Sequence, residues 1–168
     1  MQDIRLSVSK CKTFSDCKKK FKFAYVLKYP QKDEDYHILG KFSHKNLEDF
    51  HNEYINGSIE PYNKVMSTAF KNACLEYKDK MSQDMKKECR NLIDKYLQIM
   101  YKSVNDVNKI NVLACEKSFA LYIAENVVLN GVIDRVQLDH DGVLHICDYK
   151  TTKNKKYLKE DWLQLMTY

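Results

Sequence analysis

The chain has 168 residues, enough for one domain with a sizeable core, and its net charge of +5 is mildly basic. That charge is compatible with a nucleic-acid partner but does not prove one. No stretch approaches the ~20 apolar residues of a membrane-spanning helix, and the N-terminal MQDIRLSVSK lacks the apolar core of a signal peptide. The six cysteines include no C-x-x-C pair. Reduced thiols in a cytoplasmic protein are therefore expected.

Residues 1–30 predict an amphipathic helix that is capped by Ser7 or Ser9 and ends at Pro30. Phe14 and Phe21 follow helical spacing. The lysines of this segment lie largely on its other faces: Lys18, Lys19, Lys20 and Lys22. One interpretation is a basic, aromatic-laced DNA surface. The other, which is the commoner situation, is an ordinary amphipathic helix with a solvated lysine face.

The next predicted helix runs from Gly40 to Asn56 and is stopped by Gly57. Its apolar side chains recur at intervals of three and four: Leu47, Phe50 and Tyr54. A neighbouring stripe carries three residues that could bind a metal: His44, Glu48 and His51. On spacing alone such a stripe is more typical of a polar helix flank than of a ligand set.

Residues 60–104 contain two more helical patterns, and their apolar stripes are most simply explained as core. Residues 112–124 predict a strand, and Glu125-Asn126 turns it back into a second strand. A β-hairpin over residues 130–152 then completes a predicted antiparallel meander of three strands.

The hairpin register can be predicted from its alternation and from the turn residues at 140–142. Leu138 should lie opposite Leu144, and Val136 opposite Ile146. The same register places Asp134 opposite Asp148 on one face, with Lys150 two residues further along.

Facing carboxylates about 4.5–5.5 Å apart at Cβ destabilise a sheet unless something positive holds them. A divalent cation with oxygen ligands suits this role, and Lys150 could steady a water or a phosphate oxygen. The hairpin thus predicts a metal site for phosphodiester hydrolysis. An ordinary surface ion-pair cluster of Asp134, Asp148 and Lys150 is the alternative.

After a short basic run at Lys153, Lys155 and Lys156, residues 157–168 predict a final helix. Gln164 and Tyr168 are four residues apart and share one face of it. Simple packing of Tyr168 with a solvated Gln164 fits this spacing equally well.

Several of these segments together resemble the PD-(D/E)XK nuclease superfamily, and within it the RecB/AddB-like branch of DNA-end-processing exonucleases. The resemblance rests on motifs in the family's order and approximate spacing. They are G-x-x-D-R at residues 131–135, D-Y-K-T at 148–151, Q-L-x-x-Y at 164–168, G-x-x-x-H-x-x-L-E at 40–48, and an N-terminal L-S-x-S pattern that includes Cys17.

The resemblance implies one α/β domain with a restriction-endonuclease-like core, a mostly antiparallel sheet flanked by helices. Its parts would be N-terminal helices with the histidine motif (1–57), a helical insert (60–104), and the sheet with the motif helix (112–168). The implied catalytic residues are Asp134, Asp148, Lys150, Gln164 and Tyr168.

The implied cofactor is Mg²⁺ or Mn²⁺. The residues implied to hold it are His44, Asp134, Asp148 and the Tyr149 carbonyl. Glu116 resembles a family glutamate, but simple alternation puts it on the face opposite Phe119, away from the metal, unless a bulge intervenes. In some relatives the cysteine at Cys17 joins three later ones around an iron–sulfur cluster. This chain ends at Tyr168, so no cluster is expected.

The expected function is therefore a metal-dependent DNA nuclease, an exonuclease acting on DNA ends in recombination, repair or phage DNA metabolism, alongside a helicase or recombination partner. The alternative is a non-catalytic DNA-binding or scaffold module that keeps the fold. Relatives continue with further strands beside the D-x-K strand, whereas this sequence is C-terminally short. We therefore expect a homodimer to cover the resulting open edge.

Overall fold

The structure is a computed structural model that describes residues 3–30, 32–101, 111–151 and 167. Its elements in chain order are β1 (Ile4–Leu6), α1 (Val8–Asp16), α2 (Lys18–Phe21), a π-helical segment (Lys22–Val26), α3 (Asp35–Ile55), α4 (Tyr62–Glu76), α5 (Gln83–Met100), β2 (Asn111–Ala124), β3 (Val127–Leu138) and β4 (Leu144–Cys147). Helices combined with a mostly antiparallel sheet confirm the predicted fold class. Within the described ranges, no helix is both long enough and apolar enough to cross a membrane.

β3 is the central strand of the four-stranded sheet. β2 runs antiparallel along one of its edges for nearly its whole length. The opposite edge is shared by two short strands. β1 pairs in parallel with residues 127–129, and β4 pairs antiparallel with residues 135–138. The predicted three-stranded meander is confirmed, and β1 is an additional strand that the sequence pattern did not indicate.

The predicted hairpin register is confirmed. Leu138 lies opposite Leu144, and Val136 lies opposite Ile146. The loop is closed by a hydrogen bond of 3.0 Å from the Asp139 amide to the Val143 carbonyl. The regular ladder ends at the pair Arg135 and Cys147. Asp134 and Asp148 therefore lie one step beyond the last paired residues, where β3 and β4 begin to separate.

The apolar face of the hairpin is not its most buried face. Leu144 is 56% exposed, whereas Arg135, on the other face of β3, is 4% exposed. The reason is that side chains from α3 and α5 reach the Arg135 face, through His51 and Tyr96. The apolar alternation thus predicted the pairing correctly but did not indicate which face the helices cover.

The main core lies among α3, α4 and α5. Its fully buried side chains follow intervals of three and four residues along each helix, which is why these segments fold as helices against one another. They include Phe42, Phe50, Met66, Cys89 and Ile93. β4 exits toward this core, and Tyr149 packs against it.

Two predicted helix boundaries differ from the structure. α3 begins at Asp35 instead of Gly40, because burial of Leu39 extends its apolar stripe upstream and outweighs the poor helix propensity of glycine. The predicted helix within residues 1–30 is interrupted at Cys17, whose extended backbone ends α1. Its sulfur then accepts a hydrogen bond of 3.4 Å from the Lys20 amide at the start of α2.

β4 pairs with β3, and its other edge carries no strand among the residues that the structure describes. The expected homodimer that would cover this edge stays a prediction. The predicted helix at residues 157–168, with Gln164, and the basic run at Lys153, Lys155 and Lys156 lie outside the described residues, as does Tyr168.

Gly131, the first residue of the G-x-x-D-R motif, has a packing role. It lies directly across the sheet from Phe119, and the Phe119 ring covers it. A β-carbon at position 131 would lie 2.6 Å and 2.7 Å from two ring carbons of Phe119. The absence of a side chain therefore lets the ring lie flat over β3, just before the strand reaches Asp134.

We expect Gly131→Ala to lower the free energy of unfolding by about 1–3 kcal/mol, because the new methyl group displaces the Phe119 ring. Chemical denaturation measures this loss. In a double-mutant cycle with Phe119→Leu, the loss should be much smaller in the Phe119→Leu background, since the clashing ring is absent. Equal stability of Gly131→Ala and wild type, or additive effects in the cycle, would contradict the packing role.

Candidate metal centre

Three potential metal ligands from three different elements converge at the point where β3 and β4 separate. They are His44 on α3, Glu116 on β2 and Asp134 on β3, and their ligand atoms all lie within 4.8 Å of one another. His44 Nδ1 is 3.5 Å from Glu116 Oε1 and 3.5 Å from Asp134 Oδ1. Asp134 is buried, whereas the other two are partly exposed. The group is therefore open to solvent on one side.

The backbone of Tyr149 fixes two of these ligands. Its amide donates a hydrogen bond of 2.5 Å to Asp134 Oδ2, and its carbonyl oxygen lies 3.2 Å from His44 Nε2. Because a carbonyl can only accept, this contact places a proton on Nε2, and Nδ1 is the nitrogen that faces the two carboxylates. The Tyr149 carbonyl, predicted as a metal ligand itself, here orients the histidine.

Glu116 is the main correction to the sequence analysis. Its neighbours Cys115 and Lys117 pair with Arg135 and Ile133, so Glu116 lies directly across from Asp134 on the same face. The prediction that alternation points Glu116 away from the metal is wrong, because it took the face of Phe119 as the metal face. Glu116 also has a left-handed backbone, with φ of 46°, a conformation that is uncommon for this residue type and concentrates at functional sites.

The two acids of this group share an unfavourable environment. Burial raises the pKa of Asp134, against the lowering effects of the Tyr149 amide and of His44. Burial also raises the pKa of Glu116, and the negative charge of Asp134 raises it further. Two carboxylates are hard donors of the kind that bind Mg²⁺ or Mn²⁺, and the His44 imidazole nitrogen is a borderline donor. The residues present therefore fit a divalent cation, which would neutralise the charge that they bring together.

Asp148 and Lys150 lie beside this group as an ion pair, with Lys150 Nζ 2.5 Å from Asp148 Oδ2. The Asp148 side chain is 12% exposed and that of Lys150 45% exposed. Both act on Asp134, since the charge of Asp148 raises its pKa and that of Lys150 lowers it. The predicted trio of Asp134, Asp148 and Lys150 is thus brought together. Among the described residues, however, the set of ligand atoms within 4.8 Å contains Glu116 in place of Asp148.

A groove of about 470 Å³ leads to His44 and Glu116 from the solvent. Its walls combine basic, acidic and aromatic side chains with one glycine: Gly40, Lys41, Lys45, Glu48 and Tyr77. Lys41 contacts the exposed Asp33, and Lys45 contacts Glu48 and Asp49 on its own helix. The Lys41–Asp33 pair is exposed and contributes little to stability, so the Lys41 ammonium can exchange this partner for another. The two pairs of Lys45 are partly buried.

The family of the chain is now clear from comparison with known proteins. The model of the PD-(D/E)XK nuclease superfamily matches residues 5–168. The chain belongs to this superfamily, and the resemblance inferred from its motifs is confirmed.

Relatives of this chain include proteins from the SM101 and 13 strains of Clostridium perfringens, each named as a subunit of an ATP-dependent helicase/deoxyribonuclease. Each is 27% identical to this chain over an alignment that is 203 positions long and includes 98% of this chain. The chain spans only 17% of the length of these relatives.

We expect Glu116→Gln to raise the melting temperature of the metal-free protein by a few degrees at pH 7. The pKa of Glu116 is raised in the folded state, so its ionisation costs stability as the pH rises above the ordinary value of 4.5. The gain should vanish below that pH, where the carboxyl is protonated in both states. Thermal denaturation with a chelator at several pH values measures it.

With Mn²⁺ added, wild type should melt at a higher temperature than Glu116→Gln. The wild-type carboxylate can bind the ion, and the variant lacks it. Glu53→Gln, an exposed change on the same helix as His44, serves as the matched control and should change neither series. A metal-free Glu116→Gln protein that melts below wild type at pH 7 would contradict the electrostatic argument.

Proposed function

We propose that this chain is a metal-dependent deoxyribonuclease that acts as an exonuclease on DNA ends. The observation that carries the proposal is the convergence of His44, Glu116 and Asp134 within 4.8 Å, next to the Asp148–Lys150 pair. Membership of a nuclease superfamily supports the reaction class. We further propose that it works in the cytoplasm, in recombination, repair or phage DNA metabolism.

In the proposed reaction, water attacks the phosphorus of a phosphodiester, one P–O ester bond breaks, and the leaving oxygen takes up a proton. A divalent cation held by Asp134, Glu116 and His44, with Asp148 as a further acidic group, supplies Lewis acidity that polarises the phosphate and makes water easier to deprotonate. Lys150 neutralises charge that develops on the phosphate oxygens or orients the attacking water.

Each of these roles uses a contact already described. The Tyr149 amide donates a hydrogen bond to Asp134 and fixes the orientation of its carboxylate. The Tyr149 carbonyl contacts His44 Nε2 and so turns Nδ1 toward the site. Lys150 is the more exposed member of its pair, so its ammonium can reach a phosphate while it remains near Asp148. Gln164 and Tyr168 are proposed, from the family motif alone, to support this site or the DNA backbone.

The name of the Clostridium perfringens relatives couples a helicase to a deoxyribonuclease. We propose by analogy that a helicase or another recombination protein delivers DNA ends to this chain. A second copy of the chain remains a further candidate partner at the open edge of β4.

We expect both Asp134→Asn and Lys150→Ala to lower the rate of DNA cleavage by at least about 100-fold, a typical loss when a group that stabilises the transition state is removed. Linear and covalently closed circular DNA, each with Mn²⁺, Mg²⁺ or a chelator, are the substrates to compare. We expect metal-dependent release of nucleotides from linear DNA and little cleavage of closed circular DNA.

Lys64→Ala is the matched control, since Lys64 is an exposed lysine that pairs with Glu60 and should leave the rate unchanged. Cleavage that survives both active-site substitutions would indicate a contaminating enzyme. Binding of DNA without cleavage under every metal condition would instead support the non-catalytic DNA-binding or scaffold module.

We expect Lys41→Ala and Lys45→Ala to weaken DNA binding through the groove, because both ammonium groups line it. Each substitution should raise KM with little change in kcat, and should reduce the slope of log affinity against log salt by about 1. Fluorescence anisotropy at several salt concentrations measures this slope. If the slope of log affinity against log salt concentration is unchanged in both variants, the DNA backbone does not bind in this groove.

A further inference from the structure

Arg135 follows Asp134 on β3 and is almost completely buried, with 4% of its surface exposed. Its guanidinium points to the opposite face of β3, toward the helices. Arg135 Nη1 donates to the Tyr96 hydroxyl and lies 3.2 Å from His51 Nε2, while Nη2 lies 3.3 Å from the Cys147 sulfur. A side chain of the motif strand is therefore tied to α3, α5 and β4 together.

Two of the groups that hold Arg135, His51 and Tyr96, are uncharged. Burial, and then the positive charge of Arg135, lower the pKa of His51 to about 3, so its imidazole is neutral and Nε2 can accept a hydrogen bond. Burial raises the pKa of Tyr96 well above its ordinary value, so its hydroxyl keeps its proton. That proton goes to the single lone pair of His51 Nε2, 2.8 Å away, and the hydroxyl oxygen accepts from Arg135. His51 therefore holds Arg135 through the Tyr96 hydroxyl.

The same guanidinium lies against the ring of Tyr149. Its central carbon is 5.6 Å from that ring centroid, within the range of a cation–π contact, which is stronger where water is excluded. The Tyr96 ring meets the Tyr149 ring edge to face at 6.0 Å. The side chain of Tyr149 is therefore packed between a fixed cation and a fixed aromatic ring.

The backbone of Tyr149 is the part that touches the candidate metal centre. Its amide binds Asp134 and its carbonyl binds His44, and the His44 ring packs edge to face on the Tyr149 ring at 5.6 Å. Tyr149 follows the end of β4, beyond the last ladder pair, so the ladder hydrogen bonds do not fix its position. The contacts of its ring therefore act together with these two backbone contacts to hold it.

We propose that Arg135 is a positioning residue, held by Tyr96 and His51, which fixes Tyr149 and through it the metal ligands Asp134 and His44. This inference rests on the proposed metal site and deepens it, because it gives α5 and His51 a role in the reaction. Outer contacts of this kind typically change metal affinity or activity 10- to 100-fold when they are removed.

Two conservative substitutions test the proposal. Tyr96→Phe keeps the ring beside Tyr149 but removes the hydroxyl that accepts from Arg135. Arg135→Lys keeps the charge but removes the planar group that reaches its partners at once. Arg90→Lys is the matched control, because Arg90 pairs with Asp94 one turn away on α5 and takes no part in the site.

The first measurement is Mn²⁺ binding to each purified protein without DNA, followed by the paramagnetic resonance signal of the free ion. We expect about 10-fold weaker binding in both Tyr96→Phe and Arg135→Lys, and wild-type binding in Arg90→Lys. The second is cleavage at saturating Mn²⁺, where misplaced ligands should lower kcat with KM for DNA unchanged.

A purely structural cluster gives a different result. In that case the melting temperatures fall while Mn²⁺ affinity and kcat per folded molecule stay at wild-type values, which would overturn the proposal. Should Arg135→Lys fail to fold, Tyr96→Phe alone decides between these results. If wild type binds Mn²⁺ but cleaves no DNA, and the variants bind Mn²⁺ more weakly, the positioning role is upheld and the proposed nuclease function is contradicted. Absence of Mn²⁺ binding to wild type would overturn the positioning role.

Discussion

The hydrogen bond from the Tyr149 amide to Asp134 is the contact on which the site depends. It forms where the ladder between β3 and β4 stops, and it replaces the next rung of backbone pairing by a backbone–side-chain bond. The Tyr149 carbonyl is thereby turned toward His44 on α3. One residue thus connects the end of a hairpin to a helix that is distant in sequence, and the two ligands are held relative to each other.

The electrostatics of the site follow from that arrangement. Asp134 and Glu116 face each other across two strands, and the charge of Asp134 raises the pKa of Glu116. Burial and the charge of Asp148 raise the pKa of Asp134. Such a pair costs stability in the empty protein, and binding of a divalent cation recovers that cost. The buried cation Arg135 has the opposite character. It is surrounded by neutral groups and ring faces, so its function is to organise its neighbours and not to balance the acids.

Much of this could be predicted from the sequence. Alternation and turn residues gave the hairpin register, because side-chain period and loop length leave few other pairings. The motifs led to His44, and the hairpin to Asp134, Asp148 and Lys150. Glu116 was missed as a neighbour of Asp134, because apolar residues on β2 suggested the wrong face. A register count from the β2–β3 turn would have placed Glu116 opposite Arg135, because the pairing shifts by one residue between Tyr122 and Ala124. The left-handed backbone at Glu116 also has no signal in the sequence.

Other features depend on tertiary packing and could not be read locally. The early start of α3 reflects the burial of Leu39. The break at Cys17 accompanies the extended backbone of that residue and its sulfur cap on α2. The role of Tyr96 also requires the fold, because α5 is far from β3 in sequence and its apolar stripe looks like ordinary core. Sequence patterns describe one element at a time, whereas the contacts of Arg135 join four elements: β3, α3, α5 and β4.

The parallel pairing of β1 with β3 has a consequence for how the molecule assembles. Ile4 lies beside Val127, so most of the polypeptide must be made and compacted before these two segments can meet, whereas β2, β3 and β4 are joined by short turns. Contacts that close so large a loop form late and slowly. The strand that carries Asp134 can therefore be organised by its sequence neighbours, and the amino-terminal segment docks onto a scaffold that already exists.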